Sequence, residues 1–121
     1  MDYIFNNETP IYLQIVDLII TEISSGKLQP GQKLPSVREY AMLFKVNPNT
    51  ICKALMILEE KNLIYTERTN GKYVSNNERI IKEHKEVIFE EKITSFINDL
   101  YMLGYTKDEI IEKIKGMKIW V

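Results

Sequence analysis

Residues 36–58 read SVREYAMLFKVNPNTICKALMIL. This stretch contains two helix starts. Ser36 and Glu39 form a capping box, and Asn47 precedes Pro48, which suits the first position of a helix because no N–H is needed there. Apolar residues recur three and four positions apart after each start, as on the buried side of an amphipathic helix. Two short helices joined by a brief turn are typical of a helix-turn-helix.

The sequence before this stretch predicts one more helix. Thr9 is expected to cap it, with Pro10 in the first helical position, and apolar residues recur at helical spacing over residues 12–23. Gly26 is expected to end this helix, because glycine adopts the left-handed backbone conformation without strain. Residues 29–32 then predict a turn.

The sequence after the helix-turn-helix predicts a β-hairpin. The runs 63–67 and 72–75 favour strands, and Asn70-Gly71 between them predicts a type I′ turn in which both residues have positive φ. Three helices followed by a hairpin indicate a winged helix-turn-helix domain over residues 1–77. The predicted fold class is therefore mostly α with a small β-hairpin.

Residues 78–121 differ in kind from the first domain. A long helix is predicted from about Glu78 to Gly104, and Thr106 and Glu109 form a second capping box that begins a short helix. Two helices cannot make a core of their own, so their apolar faces must pack on the first domain or on a second copy of the chain. We predict a two-helix C-terminal dimerisation tail. Its dimerisation residues are predicted to be Phe89, Ile93, Phe96, Ile97 and Leu100.

Charge is distributed unevenly along the chain. The net charge is −1, yet residues 27–53 carry five cations against one acid, Glu39. The five cations are Lys27, Lys33, Arg38, Lys45 and Lys53. Such a basic stripe fits a surface that faces a polyanion, although a solvated face would look similar.

The sequence also indicates the cellular compartment in which the protein is expected. No run approaches the ~18 consecutive apolar residues that a membrane span needs, and the N-terminus lacks the pattern of a secretory signal. Cys52 is the only cysteine, which excludes an intrachain disulfide and favours a reducing environment. We therefore expect a cytoplasmic protein with no membrane partner.

The sequence offers little for catalysis. His84 is the only histidine, and neither a zinc-ligand spacing, a Ser/His/Asp set nor a phosphate-binding glycine loop occurs. The acidic pair Glu59-Glu60 is expected to be solvated helix surface rather than a catalytic dyad. We predict no enzyme activity, no metal site and no cofactor.

Polar residues at the start of the third predicted helix point away from its apolar side. On a helical wheel, Asn49 and Lys53 lie opposite the apolar residues, with Thr50 beside them. The helix start itself explains Asn47 and Pro48, whereas Asn49 and Thr50 are poor helix formers without a capping role. In a helix-turn-helix these positions meet base edges in the major groove, where asparagine binds adenine and lysine binds guanine or a phosphate.

The run over residues 26–74, GKLQPGQKLPSVREYAMLFKVNPNTICKALMILEEKNLIYTERTNGKYV, resembles the winged-helix DNA-binding domain of GntR-family bacterial transcription regulators. The IYLQI motif, the NPNT opening and the short tail resemble the small YtrA-like branch of that family. The resemblance implies that Arg38 contacts DNA at the start of the second helix. It also implies that the wing tip, Asn70-Gly71-Lys72, approaches the minor groove or a phosphate.

Some positions depart from the family pattern. Many members carry arginines where this chain has Pro48 and Cys52, and Thr69 replaces the first of two glycines that are usual in the wing. Base readout is therefore expected to depend on Arg38, Asn49, Thr50 and Lys53.

Together these features predict a homodimeric, sequence-specific DNA-binding transcription regulator, which the resemblance implies is a repressor, on a palindromic operator in double-stranded DNA. The predicted DNA-binding residues are Arg38, Asn47, Asn49, Thr50, Lys53, Asn70, Gly71 and Lys72. The alternative is a winged helix used as a protein-interaction module without DNA, for which Met56 and Ile57 would form an apolar patch. A small-molecule effector could bind at the dimer interface, but no residue identifies one.

Overall fold

The computed structural model describes residues 4–120 of the chain. The chain divides into two compact units, of which one runs to His84 and the other begins at Lys85. The elements are α1 (Ile11–Ser24), α2 (Val37–Phe44), α3 (Pro48–Glu60), β1 (Ile64–Glu67), β2 (Gly71–Val74), α4 (Glu78–Met102) and α5 (Lys107–Gly116). Their order confirms the predicted mostly α fold with a small β-hairpin.

The core of the first unit forms around α3, which contacts α1, α2 and β1. The predicted apolar faces of α1 and α3 are confirmed, and burying each such side chain contributes about 1.5–3 kcal/mol. The largest fully buried side chains are Ile15, Ile19, Ile51, Leu55, Leu58, Leu63 and Val74. The opposite, solvent-facing side of α3 is thereby held in a defined orientation.

The predicted start of α1 is wrong by one position. Pro10 occupies the cap position with φ −55° and ψ 140°, and no side chain caps the helix. The side chain of Gln14 bonds to the segment before the helix instead, because its Nε2 donates to the Thr9 carbonyl at 2.9 Å. The end of α1 is confirmed, since Gly26 follows it with φ +84°.

The helix-turn-helix follows the sequence pattern closely. Ser36 and Glu39 form the predicted capping box, with the Glu39 N–H donating to Ser36 Oγ at 3.1 Å and the Ser36 N–H donating to Glu39 Oε1 at 3.0 Å. Lys45 ends α2 in the left-handed conformation, with φ 57°. Asn47 then caps α3, and Pro48 takes its first position as predicted.

The hairpin is present, but its predicted turn is wrong. The antiparallel strands pair Glu67 with Gly71, so the loop is Arg68-Thr69-Asn70 rather than the two residues Asn70-Gly71. Gly71 has φ +106°, whereas Asn70 is not among the described residues with positive φ. The strand register, which pairs Glu67 with Gly71, therefore sets a three-residue loop, and the Asn70 N–H donates to the Glu67 carbonyl at 3.3 Å within it.

A third segment extends the wing, which the sequence reasoning did not predict. The Gly31 N–H donates to the Val74 carbonyl at 2.9 Å, the Val74 N–H to the Gln32 carbonyl at 2.9 Å, and the Leu34 N–H to the Lys72 carbonyl at 2.8 Å. The free edge of β2 is therefore paired with the chain that leads into α2.

The predicted turn at residues 29–32 positions this segment. The Gln32 N–H donates to the Gln29 carbonyl at 3.0 Å, and Gly31 has φ +79°. The backbone conformation requires glycine, because an L side chain is strained at this φ; a Cβ would also stand 2.7 Å from Oδ1 of the exposed Asn76, whose side chain would have to shift.

The second unit contains most of α4 together with α5. No residue of α4 is buried, and Ile110 is the buried residue of α5. The predicted capping box is confirmed, because the Glu109 N–H donates to Thr106 Oγ1 at 3.3 Å and Glu109 Oε1 accepts from the Thr106 N–H at 3.0 Å. Gly104, with φ +96°, follows the end of α4 as predicted.

Candidate nucleic-acid interface

The start of α3 presents polar side chains to solvent. Asn47 Oδ1 accepts the Asn49 N–H at 2.8 Å, so the Asn47 side chain is engaged in capping. Asn49 is exposed and Thr50 is half-buried. Lys53 is exposed one turn further along. We call Asn49, Thr50 and Lys53 the reading face, and the buried residues on the opposite side of α3 hold it outward.

Lys53 has a neighbour that the sequence reasoning missed. Its Nζ lies 5.5 Å from the centroid of the Tyr12 ring, within the range of a cation–π contact. Tyr12 belongs to the first turn of α1 and is half-buried. No sequence signal pairs these two residues, because they are distant in the chain and meet through the packing of α1 on α3.

Arg38 lies near the reading face but on another helix. It is the second residue of α2, is exposed, and lines a shallow groove with Met42, Val46 and Pro48 at the start of α3. It has no ion-pair partner within residues 4–120. The adjacent Glu39 is engaged with Ser36, whose backbone N–H and hydroxyl hold the pKa of that carboxyl below its ordinary value.

The wing contains a polar cluster that joins it to α3. Lys72 Nζ lies 3.3 Å from Glu59 Oε2 and donates to Thr66 Oγ1 at 2.8 Å, and the Thr66 hydroxyl donates to Glu59 Oε1. The Thr66 hydrogen bond, and after it Lys72, hold the pKa of Glu59 below its ordinary value. We call Glu59, Thr66 and Lys72 the wing clamp.

The wing clamp changes the interpretation of two residues. Glu60 is exposed as expected, and the Glu59 side chain is 39% exposed on the helix surface, but its bonds to Thr66 and Lys72 were not predicted. Lys72 is brought to the C-terminal half of α3, while Asn70 and Gly71 are exposed at the wing tip. Sequence spacing does not reveal the cluster, since Glu59 and Lys72 belong to different elements.

The basic stripe is displayed to solvent. All five cations of residues 27–53 are exposed. The side chain of Lys33 passes the wing tip, because its Cε lies 3.5 Å from where a Cβ on Gly71 would stand. Cys52 is also exposed on α3, and nothing in the structure explains its identity.

His84 contacts the backbone that follows α3. Its Nε2 lies 3.0 Å from the Lys61 carbonyl, at the end of α3. Within residues 4–120, no cluster of three or more His, Cys, Asp or Glu side chains is arranged to hold a metal ion. No helix in the same range combines the length and apolar character that crossing a membrane requires.

Comparison with known proteins identifies relatives over nearly the whole chain. The model of a family described as bacterial regulatory proteins, gntR family, matches residues 11–74. The HTH-type transcriptional regulator YhcF of Bacillus subtilis is 40% identical over 115 residues, which cover 95% of each chain. The HTH-type transcriptional repressor YtrA of the same organism is 37% identical over 110 residues, 90% of this chain and 85% of that protein.

Solved structures share the architecture. A GntR family transcriptional regulator from Listeria monocytogenes superimposes with a TM-score of 0.88 at 41% identity, covering 94% of this chain and 100% of that one. The DNA-binding domain of AraR in complex with operator ORX1 superimposes with a TM-score of 0.56 at 31% identity, covering 60% of this chain and 93% of that one.

Proposed function

Since the chain belongs to the GntR family of bacterial regulatory proteins and resembles its YtrA-like members, we propose that it is a homodimeric, sequence-specific repressor that binds a palindromic operator. Residues 1–77 bind the DNA in this proposal, and residues 78–121 form the dimer. The proposed site of action is the cytoplasm, where such a regulator meets its double-stranded DNA.

The observation that carries the proposal is the exposed reading face at the start of α3. An asparagine and a lysine four residues apart on one side of a helix suit the donors and acceptors of the major groove. Helix-turn-helix proteins place the N-terminal residues of their second helix there. The reading face, anchored by the buried side of α3, therefore contacts base edges.

Electrostatics support the same orientation. The exposed cations of residues 27–53 attract phosphates, and the N-terminus of α3 carries the positive end of the helix dipole. Arg38 adds a charge beside the start of α3 and has no acid partner within residues 4–120. Asn70 and Gly71 at the wing tip reach toward the minor groove or a phosphate in this arrangement.

The second unit supports the proposed dimer. We call Phe89, Ile93, Phe96, Ile97 and Leu100 the tail face. Within it, Phe89 is 58%, Ile93 42% and Phe96 48% exposed. Large apolar side chains at helical spacing gain free energy when a second copy covers them. Two copies joined through the tail face would present two reading faces to two half-sites.

The sign of regulation is proposed from the relatives. YtrA of Bacillus subtilis is named a repressor, and AraR is seen with an operator. A small-molecule effector is compatible with such a repressor, but no residue of the structure is identified as its binding site.

A protein-interaction module without DNA is the second candidate. Met56 favours it, because this α3 side chain is 59% exposed. Ile57, its predicted neighbour in the patch, is half-buried, so the apolar surface of α3 amounts to one side chain. The interaction-module reading is therefore the weaker one.

The test is a gel shift with a duplex that the wild-type chain enriches from a random library. Arg38→Ala and Asn49→Ala should each weaken specific binding by about 1–3 kcal/mol, since each removes a DNA contact. Arg79→Ala is a matched control, because Arg79 is also the second residue of its helix but lies 3.7 Å from Glu83. Unchanged binding by both site variants would contradict the residue assignment, and no enrichment by a folded dimer would favour the interaction module.

A further inference from the structure

We propose that Lys33, rather than Lys72, contacts a DNA phosphate beside the wing tip. The inference rests on the proposed function, because it concerns how the wing meets DNA. It revises the wing contact that the family resemblance implies, and it assigns a role to a lysine outside the hairpin.

The wing clamp commits Lys72 to the protein. Its ammonium lies 3.3 Å from the Glu59 carboxylate and donates to the Thr66 hydroxyl, and its side chain is only 28% exposed. A phosphate would have to compete with a carboxylate that is already in place. The positive charge of Lys72 is also offset locally by Glu59, so it adds little attraction for a polyanion.

Lys33 is in the opposite situation. Its backbone pairs with Tyr73 across the free edge of β2, which fixes where the side chain begins. The side chain is exposed and runs past Gly71, with its Cε 3.5 Å from the point that a Cβ on that glycine would occupy. The ammonium is therefore carried toward the wing tip on a segment that is itself hydrogen-bonded to the wing.

The charges around Lys33 leave it able to bind an anion. The charge of Lys33 acts on the Glu39 carboxylate at a distance. That carboxylate accepts hydrogen bonds from Ser36 and forms no ion pair with Lys33 within residues 4–120. Arg68 in the wing loop is exposed as well and lines the same groove as Lys33, as does Glu67, which forms no ion pair with Lys33 within residues 4–120. A phosphate that approaches the wing tip meets Lys33 without displacing a partner.

The experiment measures the salt dependence of binding to a generic duplex, which needs no knowledge of the operator. Fluorescence anisotropy over a range of KCl concentrations gives the slope of log K against log salt for the full chain. Loss of one phosphate contact should lower the magnitude of this slope by about 0.9 for each wing that engages the duplex. Lys33→Gln should show this decrease. Lys33→Arg, which keeps the positive charge, should have the wild-type slope.

The matched variant is Lys72→Gln, which removes the same charge from the neighbouring strand. It should leave the slope unchanged while lowering the melting temperature, because Glu59 loses its cation. Lys82→Gln, on the exposed surface of α4, controls for the change in net charge.

Three outcomes would overturn the inference. These are an unchanged slope in Lys33→Gln, a lowered slope in Lys72→Gln, or no binding of the wild type to any duplex. The last outcome would also remove the proposed function. Failure of the wild type to enrich any sequence, despite a measurable slope that falls in Lys33→Gln, would contradict sequence-specific repression alone and support the phosphate contact.

Discussion

The two compact units bury their apolar side chains in different ways. In the first unit, α3 alone buries Ile51, Ala54, Leu55 and Leu58, and its exposed side is polar at its start. In the second unit, α4 buries none of its residues. In its apolar tail face, Phe89, Ile93 and Phe96 are exposed, whereas Ile97 and Leu100 are half-buried. An amphipathic helix that buries its apolar face within its own unit exposes its polar face, which can bind a charged partner. A helix whose apolar face is not covered within its own unit exposes apolar side chains. We propose that a second copy of the chain covers them.

A charge placed on the tail face should have the largest effect. Phe96→Glu should make the chain monomeric, because a carboxylate buried between two copies is strongly unfavourable. Loss of the linked second half-site should weaken operator binding by roughly 10²–10⁴-fold. Light scattering reports the mass and a gel shift reports the affinity.

Asn98→Glu is the control for this change, since Asn98 is exposed on the opposite side of α4 and receives the same charge. It should remain dimeric. A dimeric Phe96→Glu protein with wild-type affinity would show that the tail face is not the dimer contact.

The next largest effect concerns the two sides of α3. Leu55 is 1% exposed, and Leu55→Ala should lower the free energy of unfolding by about 2–5 kcal/mol because it leaves a cavity. The adjacent Met56 is exposed, so Met56→Ala should change stability by no more than about 0.5 kcal/mol. Urea denaturation followed by circular dichroism measures both. Equal losses in the two variants would contradict the assigned orientation of α3.

Glycine-to-alanine substitutions should change the stability of the two units by different, smaller amounts. Gly31→Ala should cost about 1–2 kcal/mol, because its φ of +79° is strained for alanine and the new Cβ would meet Asn76. Gly116→Ala at the end of α5 meets no atom within 4 Å and should be neutral or slightly stabilising. Thermal unfolding of both variants provides the measurement. A Gly31→Ala variant as stable as the wild type would contradict the assigned conformation of the wing edge.

The smallest expected effect is the pH dependence of the wing clamp. The pKa of Glu59 is lower in the folded chain than its ordinary value of 4.5, so the stability it contributes is present above that value and is lost as pH falls through the folded-state pKa. Because the group is partly exposed, we expect a contribution under about 1 kcal/mol. Glu59→Gln should therefore be less stable than wild type at pH 7, with the difference shrinking toward pH 3. A difference that does not change with pH would mean that ionisation of Glu59 is not involved.

Sequence reasoning succeeded where the determining interactions are local. The capping boxes at Ser36 and Thr106, the cap at Asn47 and the buried side of α3 were all predicted, because each depends on residues within one or two helical turns. The same reasoning gave the exposed positions of Asn49 and Lys53.

It failed where distant segments meet. Lys33 pairs with Tyr73 at the edge of the wing, and Glu59 joins Lys72 across two elements. Neither pairing has a periodic signature. The hairpin turn was mispredicted for a related reason, since Asn70-Gly71 is compatible with more than one loop length and the register is set by pairing along the strands.

Base readout by the reading face is tested by comparing the DNA sequences that the wild type and Asn49→Ala enrich from a random duplex library. We expect the wild type to enrich a palindrome with two half-sites. Asn49→Ala should lose base preference at the same position in both half-sites and keep the remaining positions. An identical preference profile for the two proteins, or a profile without two-fold symmetry, would contradict this expectation.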